Sequence, residues 1–194
     1  SITIGAYFFV VIQHLTKARW SVVIRRIPEA LIWSFPLLAV LSIPILLGMH
    51  DLYHWTHHDL FDPASANYDP VIAGKEAYLN TPFFLARFAF YFLPWTWISY
   101  KLYTLSVRQD NDPHPEIAPK QRKYAAIGLA LGAITTAFAA FDILMSLDPH
   151  WFSTIFGIYF FAGSFMIIMA VMALVSMMLQ RKGMLTGLIK VHHY

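Results

Sequence analysis

The chain has 194 residues, 58% of them hydrophobic, 16% aromatic and only 13% charged, with a formal net charge of +3. Soluble domains carry about a quarter charged residues, so this is the composition of a membrane protein. The absence of cysteine excludes a disulfide framework, a Cys-ligated zinc and an iron–sulfur cluster within this chain.

Five apolar segments follow in order: 2–15, 30–49, 81–107, 124–147 and 151–179. Crossing ~30 Å of hydrocarbon takes about 20 helical residues, a length that the last four reach and the first does not. The expected fold is all-α, a multi-spanning transmembrane helical bundle forming one domain over 1–194. The first segment has neither the basic flank nor the cleavage site of a secretory signal, and the final "GLIKVHHY" has no terminator. The chain therefore reads as five spans from the interior of a longer protein.

The first link, 16–29, carries Lys17, Arg19, Arg25 and Arg26 and leads through "WSVVIRRIPEALIW" into the second span. Pro28 sits at a tolerated helix start, whereas Pro36 and Pro44 fall inside that span and predict kinks. Residues 50–80 are rich in His, Asp, Asn and Tyr. At about thirty residues this link is long for a plain connection and predicts a structured lid or docking loop. "NTP" at 80–82 is a helix start with a polar cap and a following proline. The link 108–123, "RQDNDPHPEIAPKQRK", has three prolines and mixed charge, and predicts an extended, solvated connection.

In the fourth span, positions 127, 131, 134, 138, 141 and 145 form a bulky stripe suited to lipid. The row Gly128, Gly132, Thr135, Ala139, Asp142 and the alanine flank at 126, 130, 133, 137 and 140 are small, as close helix packing requires. Asp142 therefore belongs to the packed side. Twelve of the fourteen basic residues, among them Lys101, Arg108, Lys120, Arg122, Lys123, Arg181, Lys182 and Lys190, lie on alternate sides of the spans. The positive-inside rule then makes links 16–29 and 108–123 and the tail cytoplasmic, and loop 50–80 and turn 148–151 external.

Four polar residues stand out as a candidate site. Asp142 lies roughly 9 Å and Arg87 roughly 7.5 Å below the outer surface at 1.5 Å per residue. A lone intramembrane charge costs about 3 kcal/mol or more, so matched depth points to an ion pair or a shared water-filled pocket. The plainer alternative is that Arg87 snorkels to the headgroups while Asp142 caps a neighbouring helix. Asp148 and His150 belong to the turn Asp148-Pro149-His150-Trp151, which is either ordinary turn and interface chemistry or a proton-exchanging histidine at the surface. His50, His54, His57 and His58 have helical spacing but form no metal signature, and a docking or proton-collecting patch is the expected role. Gln13-His14 ends the first segment as a helix-end polar pair or a proton intake. The aromatics from Phe83 to Trp97 form bundle core, or line a quinone slot.

The strings "HLTKARWSVVIRRIPEAL", "DPASANYDPVIAGKEAYLN" and "FDILMSLDPHWFSTIFGIYFFAGSF" closely resemble the ActF-type membrane subunits of alternative complex III, the bacterial quinol:cytochrome c oxidoreductase. These belong to the NrfD-like, or polysulfide-reductase membrane anchor, family. The resemblance runs along nearly the whole chain. It implies a ten-helix protein of the bacterial inner membrane, of which this chain covers about the second to the sixth helix. It also implies partners: a homologous NrfD-like membrane subunit, an iron–sulfur subunit, multihaem and monohaem cytochrome c subunits, small membrane anchors and a terminal oxidase. Nucleic acid is not among them. Haems and iron–sulfur clusters would belong to those partners; this chain would hold no covalent cofactor and no metal. A quinone, menaquinone or ubiquinone, would bind towards the outer side near acid and histidine residues. Carried onto this sequence, the candidates are Asp142, Asp148 and His150, with Arg87 beside them. Two rival readings are a proton-conducting bundle using Asp142, Arg87 and His14, and a scaffold that anchors external subunits. In both, quinol oxidation would belong to the homologous partner.

Overall fold

The computed structural model describes residues 1–184 apart from residue 19; Arg19 and Lys190 of the basic links lie outside the described residues. Helix α1 (Ile2–Thr16) is apolar almost throughout and ends at Lys17, which adopts the left-handed conformation (φ 54°) and returns a backbone bond to Gln13. A single 3₁₀ turn at Trp20–Val23 follows. The next apolar segment is a broken column of three short helices, α2 (Arg26–Ile32), α3 (Phe35–Leu41) and α4 (Ile43–Leu47). Pro36 and Pro44 occupy the first turns of α3 and α4. Proline has no N–H to continue the preceding helix, so the column breaks where the prolines predict it.

Between the column and the next long helix, α5 (Met49–Leu52), two 3₁₀ turns and α6 (Pro70–Ala73) make a folded lid. Its own core of Tyr53, Trp55, Leu60, Ile72 and Leu79 packs on Phe84 and Phe88. Helix α7 (Thr81–Asn111) has 31 residues, and the Asn80 side chain caps it by accepting from the Phe83 amide at 3.0 Å. Helix α8 (Ile117–Ile143) and helix α9 (Phe156–Arg181) complete the bundle, and no strand occurs among the described residues.

Three stretches are long and apolar enough to cross a membrane: Arg26–Leu47, Ile117–Leu147 and Phe156–Arg181. Helix α1 is apolar but only 15 residues long. Helix α7 is long enough, but Arg87, Pro94 and the polar edges of its Tyr and Trp rings dilute its hydropathy. The fold is therefore all-helical and of membrane type. Several boundaries differ from the apolar runs: α2 begins at Arg26, a turn before its run, and α7 continues to Asn111, a turn past its own. Helix α8 begins at Ile117, a turn and more before its run. Helix α9 begins only at Phe156, because Asp148 draws the amides of His150 and Trp151 into a turn and leaves 151–155 irregular.

Helix α1 is central. Residues Ala6–Val11 are all buried, and α2, α8 and α9 pack around them. A helix buried on every side is apolar on every side, which is why its sequence shows no face. On α8 the row Gly128, Gly132, Thr135, Ala139, Asp142 is buried as its small side chains imply, but Ala126, Ala130 and Ala133 are exposed. The occupant of the glycine groove is Tyr7, whose hydroxyl donates to the Gly128 carbonyl at 2.8 Å. A Cβ on Gly132 would lie 2.6 Å from the Tyr7 ring, whereas one on Gly163 meets nothing within 4 Å. Gly132→Leu should therefore cost about 1–3 kcal/mol through overpacking in unfolding by denaturing detergent, and Gly163→Ala should cost nothing. Equal stability of the two variants would show that Tyr7 does not seat in the groove.

Candidate functional site

Arg87 lies in the second turn of α7 and Asp142 in the last turn of α8, so the packing of α7 against α8 brings them together. Arg87 Nε donates to Asp142 Oδ2 at 2.7 Å and Nη2 to Oδ1 at 3.2 Å, a bidentate pair. The two residues are 8% and 1% exposed. The third guanidinium nitrogen, Nη1, donates to the Tyr78 carbonyl at 3.0 Å. The guanidinium carbon lies 3.9 and 4.2 Å from the centroids of the Tyr78 and Phe83 rings, which meet edge to face around it. Arginine suits this site because its planar fork fits the carboxylate while its faces stack on aromatics.

Tyr91, one turn along α7 from Arg87, donates to Asp142 Oδ2 at 2.5 Å. Asp142 thus accepts three charge-assisted or hydroxyl bonds, and a carboxylate has room for about four. The Ser146 hydroxyl bonds to the Asp142 backbone carbonyl, and Tyr53 of the lid donates to the neighbouring Ile143 carbonyl at 3.1 Å. The Tyr78 hydroxyl is buried without a hydrogen-bond partner, close enough to Asp142 for that charge to act on it. Burial first, and then Asp142, push the Tyr78 phenol up to about 12, so it keeps its proton at neutral pH.

Outside this network lies a cleft of about 340 Å³, walled by Gly74, Lys75, Tyr78 and Leu79 of the lid, by Phe141 of α8 and by Met145 and Ser146 just beyond it. Pro149, Trp151 and Phe152 close its other side. Tyr78 and Ser146 belong both to the cleft wall and to the surroundings of Asp142. The ion pair therefore stands one side-chain layer behind the cleft.

Asp148 and His150 are not part of the pair. His150, 52% exposed, meets Asp69 of the lid, with Nε2 2.6 Å from Oδ2, and the Lys75 ammonium donates to the Pro149 carbonyl at 2.5 Å. Asp148 is more exposed and folds the turn by accepting from the His150 and Trp151 amides at 3.1 and 3.4 Å. It does not cap α9. The lid and the turn are thus tied across the mouth of the cleft. Among the described residues no group of His, Asp or Glu is placed to hold a metal, although the His57 ring lies 4.2 Å from His50 and 5.6 Å from His54.

The sequence pairs Arg87 with Asp142 by depth and names Tyr91 only within an aromatic series; it does not single out Tyr78, Asp69 or Lys75. Tyr91 was within reach of a pattern argument, being four residues from Arg87 on one helix face. The other three reach the site only because the lid folds back.

Removing one partner of a buried pair strands the other charge, so Asp142→Leu or Arg87→Met alone should cost about 3–5 kcal/mol, and the double variant much less. Additive losses in the same unfolding assay would show that the two charges do not depend on each other. Asp69 provides a pH test. Partial burial raises its carboxyl, but the Ile72 amide, His150 and the Val71 amide outweigh that and hold it below the usual carboxylate range. A lowered folded value stabilises above the unfolded value, near pH 4, and the contribution is lost as pH falls through the folded one. The protection factors of amides at 148–152, corrected for intrinsic exchange, should hold above about pH 4 and decline as pH falls below it; protection that stays constant until the whole chain unfolds in acid would rule out the Asp69 carboxylate as the tie. Comparison with protein-family models and with curated proteins found no match to this chain.

Proposed function

We propose that this chain is a membrane subunit of a quinol-oxidising electron-transfer complex, of the alternative complex III type, and that its cleft takes the quinol head group. The observation that carries the reading is the buried Arg87–Asp142–Tyr91 network directly behind an apolar cleft at one end of the bundle. The three strings that resemble ActF-type subunits include Asp69, Lys75, Tyr78, Asp142, Asp148 and His150, the residues that line or tie this same region. In this reading α1 and α7 cross the bilayer with the other three, the lid and turn 148–151 face outward from the bacterial inner membrane, and the basic links face the cytoplasm.

Oxidising a quinol removes two electrons and two protons. The electrons leave to haem or iron–sulfur centres in partner subunits, since this chain has no cysteine to ligate a cluster. The protons need acceptors in an apolar place. Asp142 accepts from Arg87 and Tyr91 and a carboxylate has room for about four bonds, so a proton moves from the substrate hydroxyl towards Asp142 by way of the Tyr78 phenol or a water beside it. His150, half exposed and paired with Asp69, passes protons to the outer surface. Trp151, Phe152 and Phe141 supply flat apolar contact for the ring. A cleft of 340 Å³ lies at the small end of the range, about 300–1,000 Å³, that holds small molecules.

The test is quinol turnover by the intact complex carrying Tyr78→Phe or Asp142→Asn. Each should lower turnover roughly a hundredfold, the scale of one lost proton-transfer group, while all subunits stay assembled. Normal turnover in an assembled Asp142→Asn complex would move quinol oxidation to the partner subunit.

A further inference from the structure

Against the far end of α7 lies a second buried carboxylate that the proposed quinol chemistry does not use. Glu29, in the first turn of α2, is 1% exposed. Its Oε2 accepts from the Ser106 hydroxyl of α7 at 2.7 Å and pairs with Arg26 Nη1 at 2.9 Å. Its Oε1 lies 3.0 Å from Arg25 Nε. Arg26 reaches on to Asp110 of α7, so two guanidinium groups and two carboxylates already balance.

His14 makes the cluster more than a structural tie. It sits in the last turn of α1, is 8% exposed, and turns Nε2 towards Glu29 Oε1 at 3.8 Å. Both atoms are buried, and neither has a hydrogen bond. A buried ring nitrogen facing a carboxylate oxygen without a shared hydrogen is costly unless a proton or a water joins them. Histidine is the side chain that gains or loses a proton near neutral pH, and helix C-termini accommodate the cation. Arg25 and Arg26 face the same carboxylate.

We propose that His14 and Glu29 form a proton-exchange site at the end of the bundle opposite Asp142, with His14 taking up and releasing the proton and Glu29 receiving its charge. Ser106 and Arg87 are nineteen residues apart on one helix, roughly 28 Å at 1.5 Å per residue, about the thickness of the hydrocarbon layer. Tyr91, Trp95 and Ser99 share that buried face between them, but Leu102, fully buried, interrupts the row. The two ends are separate sites and not one chain of hydrogen bonds.

The experiment is ¹⁵N-histidine NMR of the full-length protein in lipid nanodiscs, with the His14 signal identified by its loss in His14→Gln. Between about pH 5 and 9 the ring should pass from imidazolium to neutral, and Glu29→Gln should lower the midpoint by about one pH unit. If Glu29→Gln does not fold, Glu29→Asp keeps the charge but withdraws it, and should move the midpoint the same way by less. A ring that holds one protonation state throughout, or a midpoint indifferent to Glu29, would overturn the site and leave a plain ion cluster. Asp142→Asn should leave the midpoint where it is, and movement there would overturn the separation of the two ends. None of these outcomes depends on quinol turnover, so the outer-site reading stands or falls separately.

Discussion

A guanidinium and a carboxylate can be kept away from water only if each completes the other, and Arg87 and Asp142 do so with two parallel bonds between α7 and α8. In an environment of low polarity that attraction is strong, but so is the cost of taking both ions out of water. The remaining groups offset the cost. The Tyr78 carbonyl takes another guanidinium donor, Tyr91 donates to the acid, and two aromatic rings lie against the cation. Remove the pair and the lid loses its anchor at Tyr78, while α7 and α8 keep only the Trp95–Thr135 hydrogen bond as a polar register mark between them.

The lid follows from that anchor. Residues 50–80 have few regular hydrogen bonds of their own. They are held by a small aromatic core, by the Tyr78–Arg87 contact, and by ties to the α8–α9 turn through Asp69 and Lys75. Because lid and turn meet across a gap instead of packing flush, they leave the cleft. The proposed quinol chemistry draws on this construction: a polar network that is fully buried, with its neighbours Tyr78 and Ser146 forming the wall of an open, apolar space.

The rest of the bundle is organised around α1, and the buried charged residues collect towards the bundle's two ends. Tyr7 fits the α8 groove because Gly128 and Gly132 leave room for a ring and a carbonyl for its hydroxyl. Towards one end stands Asp142 and towards the other Glu29, each fixed to α7 by a different partner, Arg87 or Ser106. The middle of α7 between them is packed with Trp95, Ile98 and Leu102. A bundle that confines ionisable groups to its two ends keeps desolvation costs local.

Much of this was legible in the residues alone. Composition dictates a membrane protein, prolines 36 and 44 dictate the broken column, and the small row on α8 dictates that Asp142 faces inward, because helical periodicity and proline chemistry are local properties. The matched depth of Arg87 and Asp142 pointed to their pairing for the same reason: depth follows from counting residues along each helix. What only the tertiary structure decided were contacts between distant segments. His150 meets Asp69, Lys75 meets Pro149, Tyr78 turns back over Arg87, and His14 faces Glu29, none of which any spacing rule connects. Asp148 proved to shape the turn and not to reach the pair, since the turn holds it in solvent. Sequence determines which faces are apolar and where helices break; which polar groups meet depends on how the lid and links fold back, and that is set by packing over the whole chain.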